Sequence, residues 1–232
     1  MIDIKTLQVY LSGKLIVETQ DLGFESGSIN AILGPNGCGK TTFLKGIGGL
    51  YKQESYMTIN QEFYNPYSQS QDYIAGFFDG GAYYSNLTVR DNLNYARQLF
   101  GLEKAAVDEV LKLIDFPTAQ EHSKASKLSL GQKQKLGLAM VLLLKRPLIL
   151  LDEPFNGLDR KAVDGLFAVL ERIKVETGST ILLSSHLIPD LEARADHLTI
   201  LKEGQVVLHE PMSRFLAKAE NGFENAYKAI VQ

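Results

Sequence analysis

Apolar and polar residues alternate at the start of the chain, with Ile2, Ile4, Leu7 and Val9 in phase apart from a slip near Thr6. A period of two predicts a strand over 2–9. Ser28 to Leu33 predicts a second strand, and a helix is expected from Lys40 to about Gly48, where Gly46, Gly48 and Gly49 stop it. The polar stretch 51–71, rich in Gln, Asn, Ser and Tyr, reads as strand pieces and loops, and 72–78 as a short strand. Thr88 to Phe100 reads as a helix, with Thr88 as N-cap and Asp91 at the third helical position. Val107, Val110, Leu111 and Ile114 recur at helical spacing on the next helix. Another helix runs from Leu130 to Lys145 and is punctuated by Pro147; the unbroken apolar run Leu148 to Leu151 predicts a buried strand.

The last third alternates more cleanly. Val163, Leu166, Phe167 and Leu170 share one helix face, followed by a strand at 180–183, a helix at 187–194 and strands at 197–201 and 205–209. This βαβ rhythm argues an α/β fold with a mostly parallel sheet covered on both faces. The helix-rich block from about 77 to 146 interrupts the rhythm and reads as an inserted helical subdomain. The expected organisation is a single domain over 1–232, with a helical tail over about 211–232.

Composition narrows the class. Of 232 residues, 45% are hydrophobic and 22% charged, enough to build a core and too apolar for a disordered chain. Lys plus Arg number 24 against 27 Asp plus Glu, for a net charge of −3, so there is no basic footprint for nucleic acid. The one cysteine, Cys38, rules out an internal disulfide framework and fits a reducing compartment. The most apolar run, Leu136 to Leu144, falls far short of the ~18 residues that span a bilayer, and the start resembles no signal peptide. A cytoplasmic protein is expected, one that can still reach a membrane through an integral partner.

The run Gly34-Pro35-Asn36-Gly37-Cys38-Gly39-Lys40-Thr41 satisfies GxxxxGK[ST] between a predicted strand and a predicted helix. Glycines let backbone N–H groups wrap a phosphate chain, and the helix N-terminus adds partial positive charge. Lys40 can reach the β- and γ-phosphates and the Thr41 hydroxyl can ligate Mg²⁺; with Thr42 these residues form the candidate nucleotide site. Cys38, beside a helix N-terminus, is expected to have a lowered pKa. Further on, Leu148 to Leu151 ends in Asp152 and Glu153 at the carboxyl edge of a parallel sheet, where ligands of such sheets bind. Asp152 can hold Mg²⁺ through water, and Glu153 is placed to orient or deprotonate an attacking water.

Many nucleotide hydrolases carry those two features. Leu128-Ser129-Leu130-Gly131-Gln132 decides among them: with it, the chain resembles the nucleotide-binding subunit of ATP-binding cassette (ABC) transporters over nearly its whole length. The family usually has LSGGQ; Leu130 in place of the first glycine resembles drug-export and antibiotic-resistance cassettes. The resemblance implies a P-loop core sheet, an added antiparallel N-terminal sheet and a helical subdomain. It implies Mg²⁺-dependent ATP hydrolysis that powers a membrane exporter. A homodimer or pseudo-dimer would close head to tail over two ATP molecules, docked on an integral membrane permease at the inner face of the cell membrane. Each site would use Lys40, Thr41, Asp152, Glu153 and His186 of one chain, and Ser129, Leu130, Gly131 and Gln132 of the other. By the same resemblance, Asn156-Gly157-Leu158-Asp159 would touch the partner subunit, His186 in Ser184-Ser185-His186 would contact the γ-phosphate, and Tyr10 would stack on adenine. Asp79 stands where the family has a glutamine that contacts Mg²⁺, and is a candidate further metal ligand. Phe77, Phe78, Tyr83 and Tyr84 form either a permease groove or local core packing. A soluble ABC ATPase without a transport role is the alternative function.

Overall fold

The computed structural model describes residues 1–185, 191–220 and 222–231. His186 and the beginning of the helix expected over 187–194 lie outside the described residues. The expected strands form, and around them the described residues build one ten-stranded sheet. Its parallel part consists of β9 (His197–Lys202), β3 (Ile29–Leu33), β8 (Thr180–Ser184), β7 (Leu148–Asp152) and β6 (Ile74–Phe77), in that order. β10 (Gln205–Pro211) pairs antiparallel with β9 and hands the sheet on to an antiparallel part: β2 (Lys14–Phe24), β1 (Ile2–Leu11), β4 (Lys52–Ile59) and β5 (Glu62–Tyr64). The slip in the alternation near Thr6 corresponds to a register shift between Ile4 and Thr6 against β4.

The period of two now has two destinations. Ile29, Ala31, Leu33, Ile149, Leu151, Ile181 and Leu183 face one hydrophobic core. The intervening Ile32, Leu148, Leu150 and Leu182 face another. A strand buried on both faces needs an unbroken apolar run, which is why Leu148 to Leu151 reads as it does. The first core is covered by α3 (Val89–Leu99), α4 (Ala105–Leu113), α5 (Leu130–Leu142) and α6 (Arg160–Thr177). The second holds α1 (Lys40–Ile47), in contact with both β7 of the parallel part and β1 of the antiparallel part. Each Leu or Ile fully removed from water here contributes about 1.5–3 kcal/mol. The helix bearing the phosphate loop is therefore held by both parts of the sheet.

The helical stretch between β6 and β7 is locally well specified. Thr88 caps α3, its Oγ1 accepting from the Asp91 N–H at 3.1 Å. Val107, Val110, Leu111 and Ile114 are all buried. At the C-terminus, α7 (Met212–Lys218) and α8 (Phe223–Val231) pack through Phe215 and Phe223, whose ring centroids are 5.0 Å apart.

Three details differ from expectation. α5 ends at Leu142, not Lys145, because Lys145 adopts a left-handed φ of 47°. α2 (Pro66–Tyr73), which Asn65 caps by accepting from the Tyr67 N–H at 3.0 Å, begins within the stretch 51–71 expected as strand pieces and loops and takes the first two residues of the strand expected over 72–78, so that β6 starts at Ile74. β2, over 14–24, has no counterpart in the hydrophobic pattern: its inward positions include polar Thr19, and Asp21 at φ 51° breaks the period.

Candidate functional site

The loop after β3 is shaped by close backbone contacts. A Cβ on Gly34 would run into the Leu201 carbonyl and the Cys38 sulfur. Gly39 caps α1 at φ 109°, and a Cβ there would lie 2.9 Å from Val17 Cγ2. The loop is closed by the Cys38 N–H on the Pro35 carbonyl (3.2 Å), and tied to the β9–β10 turn by the Gly204 N–H on the Cys38 carbonyl (2.9 Å). Lys40 is buried and folds back over the loop, its Nζ donating to the carbonyls of Gly34 (2.9 Å) and Pro35 (3.3 Å). α1 has no side-chain cap at Gly39, and the first N–H groups of a helix have no partner within it, which makes such an end suited to an anion.

At the end of β7, Asp152 receives two hydroxyls. Thr41 Oγ1 donates to its Oδ2 at 2.8 Å, and Ser184 Oγ to its Oδ1 at 2.7 Å. Ser184 Oγ also accepts from the Glu153 N–H at 2.9 Å. The parallel register that pairs Asp152 with Ser184 creates this junction. Glu153 has a left-handed φ of 50°, so the chain turns sharply as it leaves the strand. A carboxylate beside a threonine hydroxyl, at the mouth of a phosphate-binding loop, is a hard oxygen donor set of the kind Mg²⁺ takes. Ser184 is the site residue that the sequence motif underweights: a hydroxyl at the end of an apolar strand, directly across from the acidic strand end.

Ser129 caps α5 in a capping box, with its Oγ accepting from the Gln132 N–H (3.3 Å) and Gln132 Oε1 accepting from the Ser129 N–H (3.0 Å). This leaves the helix N-terminus pointing outward, with Leu130 62% exposed. The stretch 156–159 begins three residues after Glu153, and Asp159 caps α6 by accepting from the Ala162 N–H at 2.8 Å.

Asp79 is on the loop after β6, at φ 52°, with its carboxylate largely in solvent. Its Oδ2 receives Lys45 Nζ at 2.9 Å. The Lys45 ammonium, 5.6 Å from the Phe78 ring and 5.8 Å from the Tyr51 ring, is held protonated above its usual range by that carboxylate, with a further contribution from Asp152. Lys45, on the exit side of α1, is a neighbour that no motif flagged. Tyr10 is half-buried on β1 and donates to Gln8 Oε1 at 3.0 Å, while Gln8 Nε2 donates to Glu18 at 2.6 Å.

One expectation is corrected. Cys38 is buried, and desolvation raises its thiol pKa despite the opposing Lys40 charge, so the lowered value expected at a helix N-terminus does not hold. Phe77 is fully buried and Tyr83 packs on the core, whereas Tyr84 is exposed and meets Tyr95 edge-on at 5.2 Å. The aromatic run therefore divides between packing and surface.

A glycine-shaped phosphate loop, a threonine and an aspartate joined at its base, and a glutamate at the strand exit define a P-loop nucleotide hydrolase. A family profile described as "ABC transporter" matches residues 17–156. The chain belongs to the ABC transporter family, as an ATPase domain. The ABC transporter ATP-binding protein YhcH of Bacillus subtilis is 30% identical over 210 residues, covering 89% of this chain and 68% of that protein. The bacitracin transport ATP-binding protein BcrA of Bacillus licheniformis is 33% identical over 200 residues; the match covers 84% of this chain and 64% of BcrA. Import proteins match as well, such as the molybdenum import ATP-binding protein ModC of Pseudomonas syringae at 32% over 218 residues, 86% of this chain and 58% of that protein. A solved structure of the ATP-binding subunit of an ABC transporter superposes with a TM-score of 0.87 at 25% identity, covering 100% of both chains. Among the described residues, no helix is long and apolar enough to cross a membrane.

Proposed function

We propose that this domain binds MgATP in the loop 34–42 and hydrolyses it to drive a membrane exporter. The observation that carries this reading is the junction of Thr41, Ser184 and the Glu153 N–H around Asp152, which fixes the phosphate loop and the acidic strand end to each other. Lys40 leaves the Gly34 and Pro35 carbonyls to meet the β- and γ-phosphates. Thr41 and Asp152 would hold Mg²⁺, which when bound would neutralise charge on the phosphate oxygens. Glu153 accepts the proton of the attacking water as its oxygen bonds to the γ-phosphorus. The bond to the β–γ bridging oxygen then breaks, and ADP leaves with that electron pair. Tyr10 stacks on the adenine, oriented through Gln8. His186 contacts the γ-phosphate. Asp79 would be a further ligand for that ion, at the cost of its ion pair with Lys45.

Two cassettes close head to tail, so that Ser129, Leu130, Gly131 and Gln132 of one reach the nucleotide of the other. The exposed Tyr84–Tyr95 pair on the helical subdomain meets the permease. Export is read from Leu130 in the signature. The domain then works at the inner face of the membrane. The test is Glu153→Gln: hydrolysis falls by about 10²-fold or more while ATP binding persists, and an ATP-dependent dimer appears on size-exclusion chromatography. Hydrolysis at the parent rate would remove Glu153 from the role of base.

A further inference from the structure

The first turn of α5 and the stretch 156–159 are fastened to each other within one chain. Gln134, buried on α5, donates through Nε2 to the Asn156 carbonyl at 2.9 Å. The Leu130 side chain lies over Gly157 so closely that a Cβ on Gly157 would run into Leu130 Cδ2. A Cβ on Gly131 would lie 3.6 Å from Leu158 Cδ2, in ordinary contact. Three successive residues after the Glu153 turn thus meet three positions of one helix end. The Asn156 N–H in turn donates to the Glu153 carbonyl at 3.2 Å.

We propose that Leu130 and Gly157 are a matched pair: Leu130 is a positioning residue that seats the stretch 156–159 on α5, and Gly157 is the residue that leaves room for it. Leu130 stands where a smaller residue would leave the Gly157 backbone uncovered, and its exposed half shows that it is not placed there by core packing. Gly157 has φ 76°, so its backbone turns the chain under the leucine side chain. Motion of the α5 N-terminus is then transmitted to residues 156–158, and through Asn156 to the peptide of Glu153 in the same chain. The consequence for dimerisation rests on the reading above, in which the α5 N-terminus meets the second copy's nucleotide; the pairing itself does not.

The test uses Leu130→Ala, Gly157→Ala and the double variant, each in the Glu153→Gln background, with two readouts. Hydrogen exchange of the 156–158 amides in the nucleotide-free monomer is expected to speed up about tenfold in Leu130→Ala, which uncovers the stretch, and in Gly157→Ala, where the added methyl turns the exposed leucine away, and to return toward the parent rate in the double variant, where the methyl on residue 157 takes up the space the leucine vacates. The ATP-dependent dimer is expected to weaken by about tenfold in Gly157→Ala, where Leu130 is retained and only its seat is disturbed. A merely strained φ at residue 157 would persist after Leu130→Ala, so failure of the amide exchange to recover in the double variant overturns the proposal. Parent-like exchange in Gly157→Ala overturns it as well. If Glu153→Gln itself forms no ATP-dependent dimer, the two-copy reading fails and the exchange readout alone decides the pair.

Discussion

The same substitution at two helical glycines should change stability in opposite directions. Gly137 lies inside α5, where an added Cβ would be 2.7 Å from the Gly80 carbonyl oxygen, 2.7 Å from Phe77 Cε2 and 3.1 Å from Gly81 Cα. A Cβ on Gly81 would in turn lie 2.6 Å from Gly137 Cα. The loop after β6 is thus pressed backbone to backbone on the helix. Neither neighbour can yield easily, because Phe77 is fully buried and Gly80 presents main chain. Alanine in place of glycine inside a helix gains about 0.8–1 kcal/mol of propensity. Overpacking costs typically about 1–3 kcal/mol, and two contacts at this range put Gly137 toward the upper end. The net expectation for Gly137→Ala is a loss of about 1–2 kcal/mol. Gly165, exposed on α6, has nothing within 4 Å of its Cβ position, so Gly165→Ala keeps the propensity gain and stabilises by about 0.5–1 kcal/mol.

Urea unfolding followed by far-UV circular dichroism gives both numbers. For a chain of this size each kcal/mol also moves Tm by about 2–4 °C. A Gly137→Ala variant as stable as the parent, or more so, would refute the tight seating of the 79–81 loop. If both variants lose stability, the propensity argument is wrong for this protein.

Three further outcomes follow from groups around the sheet. Cys38 should react with maleimide at pH 7 at least about tenfold more slowly in the folded chain than in urea, since burial both shields it and raises its pKa; equal rates would show the loop to be open. His209 is half-buried, with Nδ1 at 2.9 Å from Thr199 Oγ1 and Nε2 at 2.8 Å from the Gly23 carbonyl, and desolvation lowers its pKa from the usual 6.5. The unfolded chain therefore takes the proton first, so this contribution is complete above pH 6.5 and is lost as pH falls below it; His209→Gln should flatten the decline in urea midpoint between pH 8 and 5.5, and an unchanged slope would clear His209. Asp79→Ala should cost under about 1 kcal/mol of stability, because its carboxylate is mostly solvated, yet raise the Mg²⁺ concentration needed to retain ATP; an unchanged Mg²⁺ titration would confine Asp79 to its pairing with Lys45.

What was legible in the sequence was what is local. The phosphate loop, the acidic end of β7 and the capped start of α5 each depend on a few consecutive residues, and each has the geometry those residues imply. Thr88 and Asp91 form their cap for the same reason. The errors came where the deciding neighbour is distant in sequence. The thiol of Cys38 answers to burial against the sheet more than to the helix end beside it. Strand β2 owes its place to pairing with β1, which compensates for the break in its own pattern at Asp21. α2 is a different case, since Asn65-Pro66 is a local start signal that the polar composition of 51–71 obscured.

The contacts found only in three dimensions share a geometry. The loop after β6 is held at one end by Lys45 of α1 through Asp79, and at the other by Gly137 of α5 against Gly80 and Gly81. The stretch after β7 is held on α5 by Leu130 and Gln134, and by Asn156 on Glu153. Two connections that leave adjacent strands of the sheet are therefore both anchored to α5, and one of them also to the helix that carries the phosphate loop. A displacement of α5 cannot leave both connections unchanged, because one contact is backbone against backbone and the other a buried amide on a carbonyl. The helix that follows the phosphate loop and the start of α5 are thus linked by packing within a single chain. A second copy that binds at α5 acts on a helix already fastened to the stretch after β7.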